Sequence, residues 1–546
     1  MIFLEAKNGK FYIGQLPILL RGFGLGGWLL PEGYMWGLYD KCDRPRRMER
    51  MIEALCGIDY AKQFWQRYYK TYITKADIKL IAENGFNSVR LPINARHLYF
   101  LENGQMSFNS ETIALIDEMI SWCKQYEIYV VLDMHGAPGG QTGANIDDCL
   151  EDLPSLFMNK EYEDELVELW GMLAKRYKDE PAIAGYDLLN EPLPNWFNQY
   201  NHMLMPLYEK LIKKIRAVDS KHLIILEGLH WATDFSVFDQ LSAADVKDGI
   251  ALEFHKYWSN PDIESITVYI QASQRLNIPL FMGESGENNL EWYATMFPLL
   301  ERMAISWSFW SYKKMDCINS PITFDRPNNW DRIEMWAEQN DGFLKGSGEI
   351  IGNQLETFEA QAIFEDFLLK IAQPKEVKSV INALIRKAPV VIPAEAYDDF
   401  QVREGKVRCT GADLRRTEPI DIIFENGKIG EVDYKRNNGA DQPLEENLLV
   451  VLHQGETVSY GFCADTEFVE IKVTLKFENS GELTNISNNT ASNIMRVTIE
   501  DQIERYVIDQ AGSYTFKFDQ TVKSTYHQLI ISCESGKLLL DDIILR

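Results

Sequence analysis

The sequence predicts an α/β fold: a (β/α)8 TIM barrel followed by a C-terminal all-β sandwich of the jelly-roll kind. Three observations carry that expectation. Eight short β-rich apolar runs alternate with longer amphipathic stretches through about residue 312. No dinucleotide-binding fingerprint with its helix accompanies them, which favours a closed barrel over a doubly wound open sheet. From about residue 395 the texture changes to alternating runs between turn residues, EFVEIKVTLKF, NIMRVTIED, SYTFKF, HQLIISCE and LLLDDIILR, the pattern of a sandwich.

The predicted barrel strands are Ile18–Gly24, Asn87–Pro92, Tyr129–Met134, Ile183–Asn190, His222–Glu227, Ile250–His255, Pro279–Gly283 and Ala304–Phe309. The first runs into Gly22-Phe23-Gly24-Leu25-Gly26-Gly27, which satisfies G-x-G-x-x-G. The WLLPEGYMW that follows is no amphipathic helix and holds Pro31, so it offers no helix N-terminus to a pyrophosphate. Glu161–Tyr177 and Met205–Val218 have helical periodicity, Glu356–Ala372 is the expected closing helix, and Pro374–Lys387 a further short one. The expected domains are the barrel over 1–375, a helical linker over 376–394 and the sandwich over 395–546.

A chain of 546 residues has the length of two or three domains, and 46% hydrophobic with 25% charged residues is globular composition. The formal charge of −26 argues against nucleic acid and anionic membranes as partners, since both require clustered Lys and Arg. No stretch approaches the roughly 20 apolar residues of a membrane span. MIFLEAKNGKFYIG lacks the basic and apolar regions of a secretory leader. Eight scattered cysteines without a Cys-x-x-Cys pair are expected as free thiols of a cytoplasmic protein. The sequons at Asn485 and Asn488 are expected in a polar loop.

In such a barrel the chemistry gathers where strands end at the C-terminal face. The second strand ends with Arg90, the third with Asp133 and His135, the fourth with Asn190 and Glu191. The sixth supplies His255 and Tyr257, the seventh Glu284 and the eighth Trp310. Taken singly, a strand-end carboxylate is a solvated or capping group. Two facing ones, Glu191 and Glu284, suit acid/base and nucleophilic work on an acetal, one protonated and the other ionised. Trp196, Trp231, Trp258, Trp292 and Trp310 follow successive strands and are expected to ring the mouth with flat faces for a pyranose. A metal site is disfavoured, because no His-Glu-x-x-His or tight Asp/His cluster occurs.

The set VRLP, DMHG, NEP, HKY, GE and WSFW resembles glycoside hydrolase family 5, the cellulase-like retaining enzymes. That resemblance implies Glu191 as acid/base and Glu284 as nucleophile. It implies Arg90 and Tyr257 aiming Glu284, Asn190 on the sugar 2-hydroxyl, His135 and His255 lining the −1 site, and Trp310 as its floor. RGFGLGGWLLPE and DMHGAPGGQTG are most similar to segments of the exo-β-1,3-glucanases, which carry a sugar-binding carboxylate at the position of Glu32. Where those enzymes have Phe-Asp-Asn, this chain has Ala144-Asn145-Ile146, and Asn145 joins Glu32 as an expected contact to a terminal sugar. The sandwich is similar to carbohydrate-binding modules of families 6 and 35, which implies a structural calcium held by Glu395 and Asp541; no cofactor is expected for catalysis. The expected function is a retaining β-glycosidase, exo-acting on short β-glucosides or β-glucan oligosaccharides. The alternatives are an endo-β-glucanase or mannanase, a glycosidase for another glycone or for a lipid or plant aglycone, and a catalytically silent carbohydrate-binding protein.

Overall fold

The computed structural model describes residues 1–39, 41–243, 249–351, 355–465, 468–476, 492–519 and 526–546. The two sequons lie outside the described residues. Eight parallel strands close into a barrel: β1 Arg21–Gly24, β2 Ser88–Asn94, β3 Tyr129–Gly136, β4 Ile183–Asp187, β5 Leu223–Glu227, β6 Ile250–His255, β7 Leu280–Gly286 and β8 Ser306–Trp310, with β8 pairing back onto β1. All eight predicted strands are present. Nearly every strand residue is buried, as expected of a parallel sheet covered on both faces.

The differences lie at strand ends. The stretch predicted as one strand from Ile18 divides. Leu16–Ile18 joins Leu4–Lys7 and Lys10–Ile13 in a separate antiparallel meander, and β1 begins at Arg21. The meander has a function of its own. Its Leu4, Ala6 and Phe11 share one core cluster with Leu20, Tyr129, Ala184, Leu223, Ala251 and Phe281, which stand just before or at the starts of barrel strands. It therefore plugs the N-terminal end of the barrel. β4 stops at Asp187 rather than Asn190, because the backbone leaves the extended region at Glu191, where φ is 44°. β7 continues past Gly283 to Gly286 and so carries Glu284 within the strand.

The amphipathic stretches fold as helices at Lys160–Tyr177, Leu204–Arg216, Thr357–Ile371 and Lys378–Leu384. In the first, the Asn159 side chain accepts the Glu161 N–H, with acids in the first turn and bases in the last.

The chain forms two compact units, one of residues 1–256, 268–286 and 304–376, the other of residues 257–267, 287–303 and 377–546. The second contains two antiparallel sheets. One orders Asp421–Phe424, Leu448–His453, Lys537–Leu545, Phe468–Lys476 and Gly512–Asp519, with Val390–Pro393 also on Lys537–Leu545. The other orders Asp399–Gln401, Thr457–Cys463, Tyr526–Ser535, Asn493–Ile499 and Gln502–Ile508. All eight cysteines are free thiols. Among the described residues no helix is long and apolar enough to cross a membrane.

If the meander is a plug, Phe11→Ala removes a ring from the barrel floor. We expect it to lower stability by about 3 kcal/mol in urea unfolding while leaving KM unchanged.

Candidate active site

β2 brings Arg90 into the barrel, where it is fully buried. Its guanidinium reaches five carboxylates: Asp133 at 3.1 Å, Asp187 at 2.7 Å, Glu227 at 2.9 Å, Glu253 at 3.2 Å and Glu284 at 2.6 Å. Nη2 also donates to Asn190 Oδ1 at 2.8 Å. One cation cannot neutralise five buried anions, so protons make up the difference. Burial pushes the Asp133 carboxyl up to about 7 against the pull of Arg90, and lifts Glu227 and Glu253 well above the ordinary range.

Glu191 stands where the fourth strand runs out. Its left-handed backbone costs on the order of 1–3 kcal/mol in isolation. Its N–H donates to Glu227 Oε2 at 2.6 Å, a buried hydrogen bond that opposes this cost. The neighbouring backbone is pinned as well. Asn190 N donates to Met134 O at 3.2 Å, and Gln141 Nε2 donates to His135 O at 2.7 Å and Asn190 O at 2.9 Å, tying the third and fourth strand ends together.

His255 sits between the two candidate catalytic acids. Its Nδ1 lies 2.7 Å from Glu191 Oε1 and 3.6 Å from Glu284 Oε2. One ligand atom from each of Glu191, His255 and Glu284 falls within 4.8 Å of the others, and the same holds for Glu227, Glu253 and His255. Among the described residues these are the sets tight enough for a cation, and both adjoin carboxylates that Arg90 already serves. Burial pushes His255 down to about 3 and His135 down to about 4, so both rings are neutral near pH 7. His135 Nδ1 lies 2.7 Å from Asp133 Oδ2, and its ring stacks on Trp310 with centroids 5.3 Å apart and planes 6° apart. A neutral imidazole can thus bond a hydroxyl without adding charge.

Trp310 explains two glycines at and just after the end of the first strand. A Cβ at Gly24 would lie 2.5 Å from the indole, and one at Gly26 2.7 Å. Of the G-x-G-x-x-G positions, Gly24 thus makes room for the indole, whereas a Cβ at Gly22 would meet Ser88 O and one at Gly27 the Tyr72 hydroxyl. Trp310 Nε1 donates to Tyr34 Oη at 2.8 Å, fastening the loop that carries the buried Glu32. Asp147 holds the loop after β3 by accepting from Thr142 N, Thr142 Oγ1, Gly143 N and Cys149 N, with Asn145 half-buried at its turn.

Residues 53–316 match the profile of the family described as Cellulase (glycosyl hydrolase family 5). This stretch is a family 5 glycosyl hydrolase domain. Among curated relatives, a β-xylosidase of Phanerodontia chrysosporium is 30% identical over 275 residues, covering 50% of this chain and 55% of its own. Endoglucanase C of Acetivibrio thermocellus is 26% identical over 318 residues, covering 46% of this chain and 88% of its own. A probable glucan 1,3-β-glucosidase A of Emericella nidulans is 29% identical over 200 residues, covering 36% of this chain and 48% of its own. The chain thus spans about half the length of the first and third of these.

In the family 5 domain the structure brings together Arg90, His135, Asn190, Glu191, His255 and Glu284, with Trp310 stacked on His135. Tyr257 and Trp258 open a segment of the second unit, where their rings lie 5.6 Å apart. The expected ring of five tryptophans is not realised. Trp292 is only 1% exposed in the first turn of helix Leu290–Arg302, with Nε1 donating to Ser259 O, so it is core. Trp196 and Trp231 form an edge-to-face pair at 5.6 Å. Sequence reasoning passed over Asp187, Glu227, Glu253 and Tyr34. The available signal was a lone acid inside an apolar strand, as in GYD, LIILE and IALEFH.

In the second unit, Glu395 and Asp541 line one small cavity of about 40 Å³ with Glu291, Glu446, Asp542 and Tyr434. Asp541 accepts from Asn447 at 2.9 Å and lies 3.5 Å from Lys476. Burial pushes Glu395 up to about 8 and Glu291 up to about 7. Among the described residues, Tyr434 Oη and Asp542 Oδ1 have no hydrogen-bond partner.

Replacing Arg90 by Met leaves the five carboxyls without their cation, at an expected cost of about 3–5 kcal/mol. The cost has a pH sign. Carboxyls raised by burial bind protons more tightly folded than unfolded, so their contribution falls as pH rises from the ordinary Asp value, about 3.9, through about 7 for Asp133. Thermal melts of Arg90→Met should therefore show a larger deficit at pH 8 than at pH 5.

Proposed function

We propose that the barrel hydrolyses O-glycosidic bonds of β-glucosides with net retention, acting from the chain end on short glucosides or β-glucan oligosaccharides. The observation that carries the reading is the approach of Glu191 and Glu284 oxygens to within 4.8 Å around His255. Retaining glycosidases hold their carboxyls about 5–5.5 Å apart, and inverting ones leave a wider gap for water. Glu284, aimed by Arg90, attacks the anomeric carbon while Glu191 hands a proton to the leaving oxygen. Water then opens the glycosyl ester as Glu191 takes a proton back. Action from the chain end is supported by the buried loop of Glu32 bonded to Trp310 through Tyr34, and by the names of the xylosidase and glucosidase relatives. The eight free thiols support a cytoplasmic setting.

Proton NMR of the first product should show the β-anomer; an initial α-product overturns the assignment. From a β-glucan hexasaccharide the early products should be monosaccharide and pentasaccharide. Early di- and tetrasaccharides would make the enzyme endo-acting, and cleavage confined to a glycolipid in a parallel panel would replace the glucan reading. Glu284→Gln should abolish turnover on every substrate. Glu191→Ala should spare activated aryl glycosides, with azide then giving a β-glycosyl azide.

The nucleophile also fixes a pH limit. Burial raises Glu284, opposed by His255 and Arg90, and it attacks only when ionised. The acid limb of kcat/KM should therefore fall away at a pH above the ordinary Glu value of about 4.3.

For the second unit we propose a calcium ion on Glu395 and Asp541, with the unpartnered Tyr434 Oη and Asp542 Oδ1 and the crowded acids in support. EDTA should lower the melting temperature and added calcium restore it; an unchanged melt removes the ion.

A further inference from the structure

We propose that Glu253 is the reservoir of the catalytic proton, passing it through the His255 ring to Glu191 and receiving it back when water attacks. This rests on the reading of Glu191 as the acid/base. His255 joins the two carboxyls edge to edge: Nδ1 lies 2.7 Å from Glu191 Oε1 and Nε2 3.3 Å from Glu253 Oε1. The buried ring is neutral, so one nitrogen carries hydrogen while the other accepts. In the resting arrangement Glu253 O–H donates to Nε2 and Nδ1–H donates to ionised Glu191. In the delivering arrangement the Glu253 O–H and Nδ1–H bonds have broken, and Nε2–H and Glu191 O–H bonds have formed. The Glu191 O–H then breaks as the leaving oxygen gains its hydrogen. Nothing is oxidised or reduced, and the ring keeps one proton in each arrangement.

Arg90 supplies the reason for a reservoir at this place. It touches both Glu284, at 2.6 Å, and Glu253, at 3.2 Å. When Glu284 loses its charge to the glycosyl ester, Glu253 becomes ionised beside the same guanidinium, and the charge facing Arg90 is unchanged. The other groups around Glu253 are Asp133, Asp187, Glu227 and Glu284. Those around His255 are Glu191, Glu227, Glu253, Glu284, Arg90 and His135. Burial lifts Glu253 well above the ordinary range, which suits a proton store, and among the described residues its Oε2 has no hydrogen-bond partner. The chain also makes room for it. A Cβ on Gly283, the residue before the nucleophile, would fall 1.4 Å from Glu253 Oε1.

The test compares two substrates on Glu253→Gln, which keeps the shape and removes the exchangeable acid. On a β-disaccharide, whose leaving group needs a proton, kcat/KM should fall about 100-fold, and on a dinitrophenyl β-glucoside, whose departure needs none, less than about threefold. The basic limb of the pH profile should shift only for the disaccharide. Equal losses on both substrates would mean a structural role and overturn the relay. Should the variant fail to fold, a proton inventory on the wild-type enzyme with the disaccharide decides: a bowed plot reports several protons in flight, and a straight line overturns the relay. Glu191→Ala measured on the same pair separates the two readings. Leaving-group dependence there without any in Glu253→Gln sinks the relay alone, and its absence in Glu191→Ala sinks the acid/base assignment beneath it.

Discussion

Everything in the barrel mouth is arranged around one buried guanidinium. A charge at the full depth of a protein is tolerated only when it is paired and hydrogen-bonded, and Arg90 is paired many times over. The excess of acid over base is the productive part. It obliges some carboxyls to hold protons at pH values where an exposed acid would have lost them, while the one nearest the guanidinium has the best electrostatic support for staying ionised. A protonated carboxyl and an ionised one within a few ångströms of each other follow from that competition rather than from any special property of either group.

The second constraint is mechanical. The candidate side chains stand on or just beyond strands of the closed barrel, and several strand ends are tied to their neighbours: Glu191 N–H to Glu227, Gln141 to His135 and Asn190, and Trp310 to Tyr34. The meander seals the opposite end, so the strands are braced at the bottom and chemically equipped at the top. Glu191 sits in an uncommon backbone conformation, with its N–H held by a carboxylate from the next strand.

The eight strands were legible because apolar runs bounded by polar residues make a strong signal, and the cluster of candidate side chains was legible because it stands at the ends of those runs. Arg90, Glu191, His255 and Glu284 were found by position alone. Glu227 and Glu253 were not, because an acid one or two residues inside a strand end looks like the strand's ordinary polar terminus until the opposite wall of the barrel is in view. Trp292 failed for the converse reason: the sequence shows which strand a tryptophan follows, but not that the first turn of a helix folds it inward. The glycines before Trp28 were visible as a motif, yet the purpose of Gly24 and Gly26 depends on Trp310, some 280 residues away in the chain.

The fit of Gly283 against Glu253 has a consequence for how such barrels diverge. A side chain at 283 collides with a carboxyl that Arg90 holds in place, and loss of the carboxyl leaves a void next to Glu284. Neither position can drift alone at low cost. The two positions are sterically coupled: an alanine or serine in front of Glu284 requires a smaller side chain in place of the acid on the sixth strand.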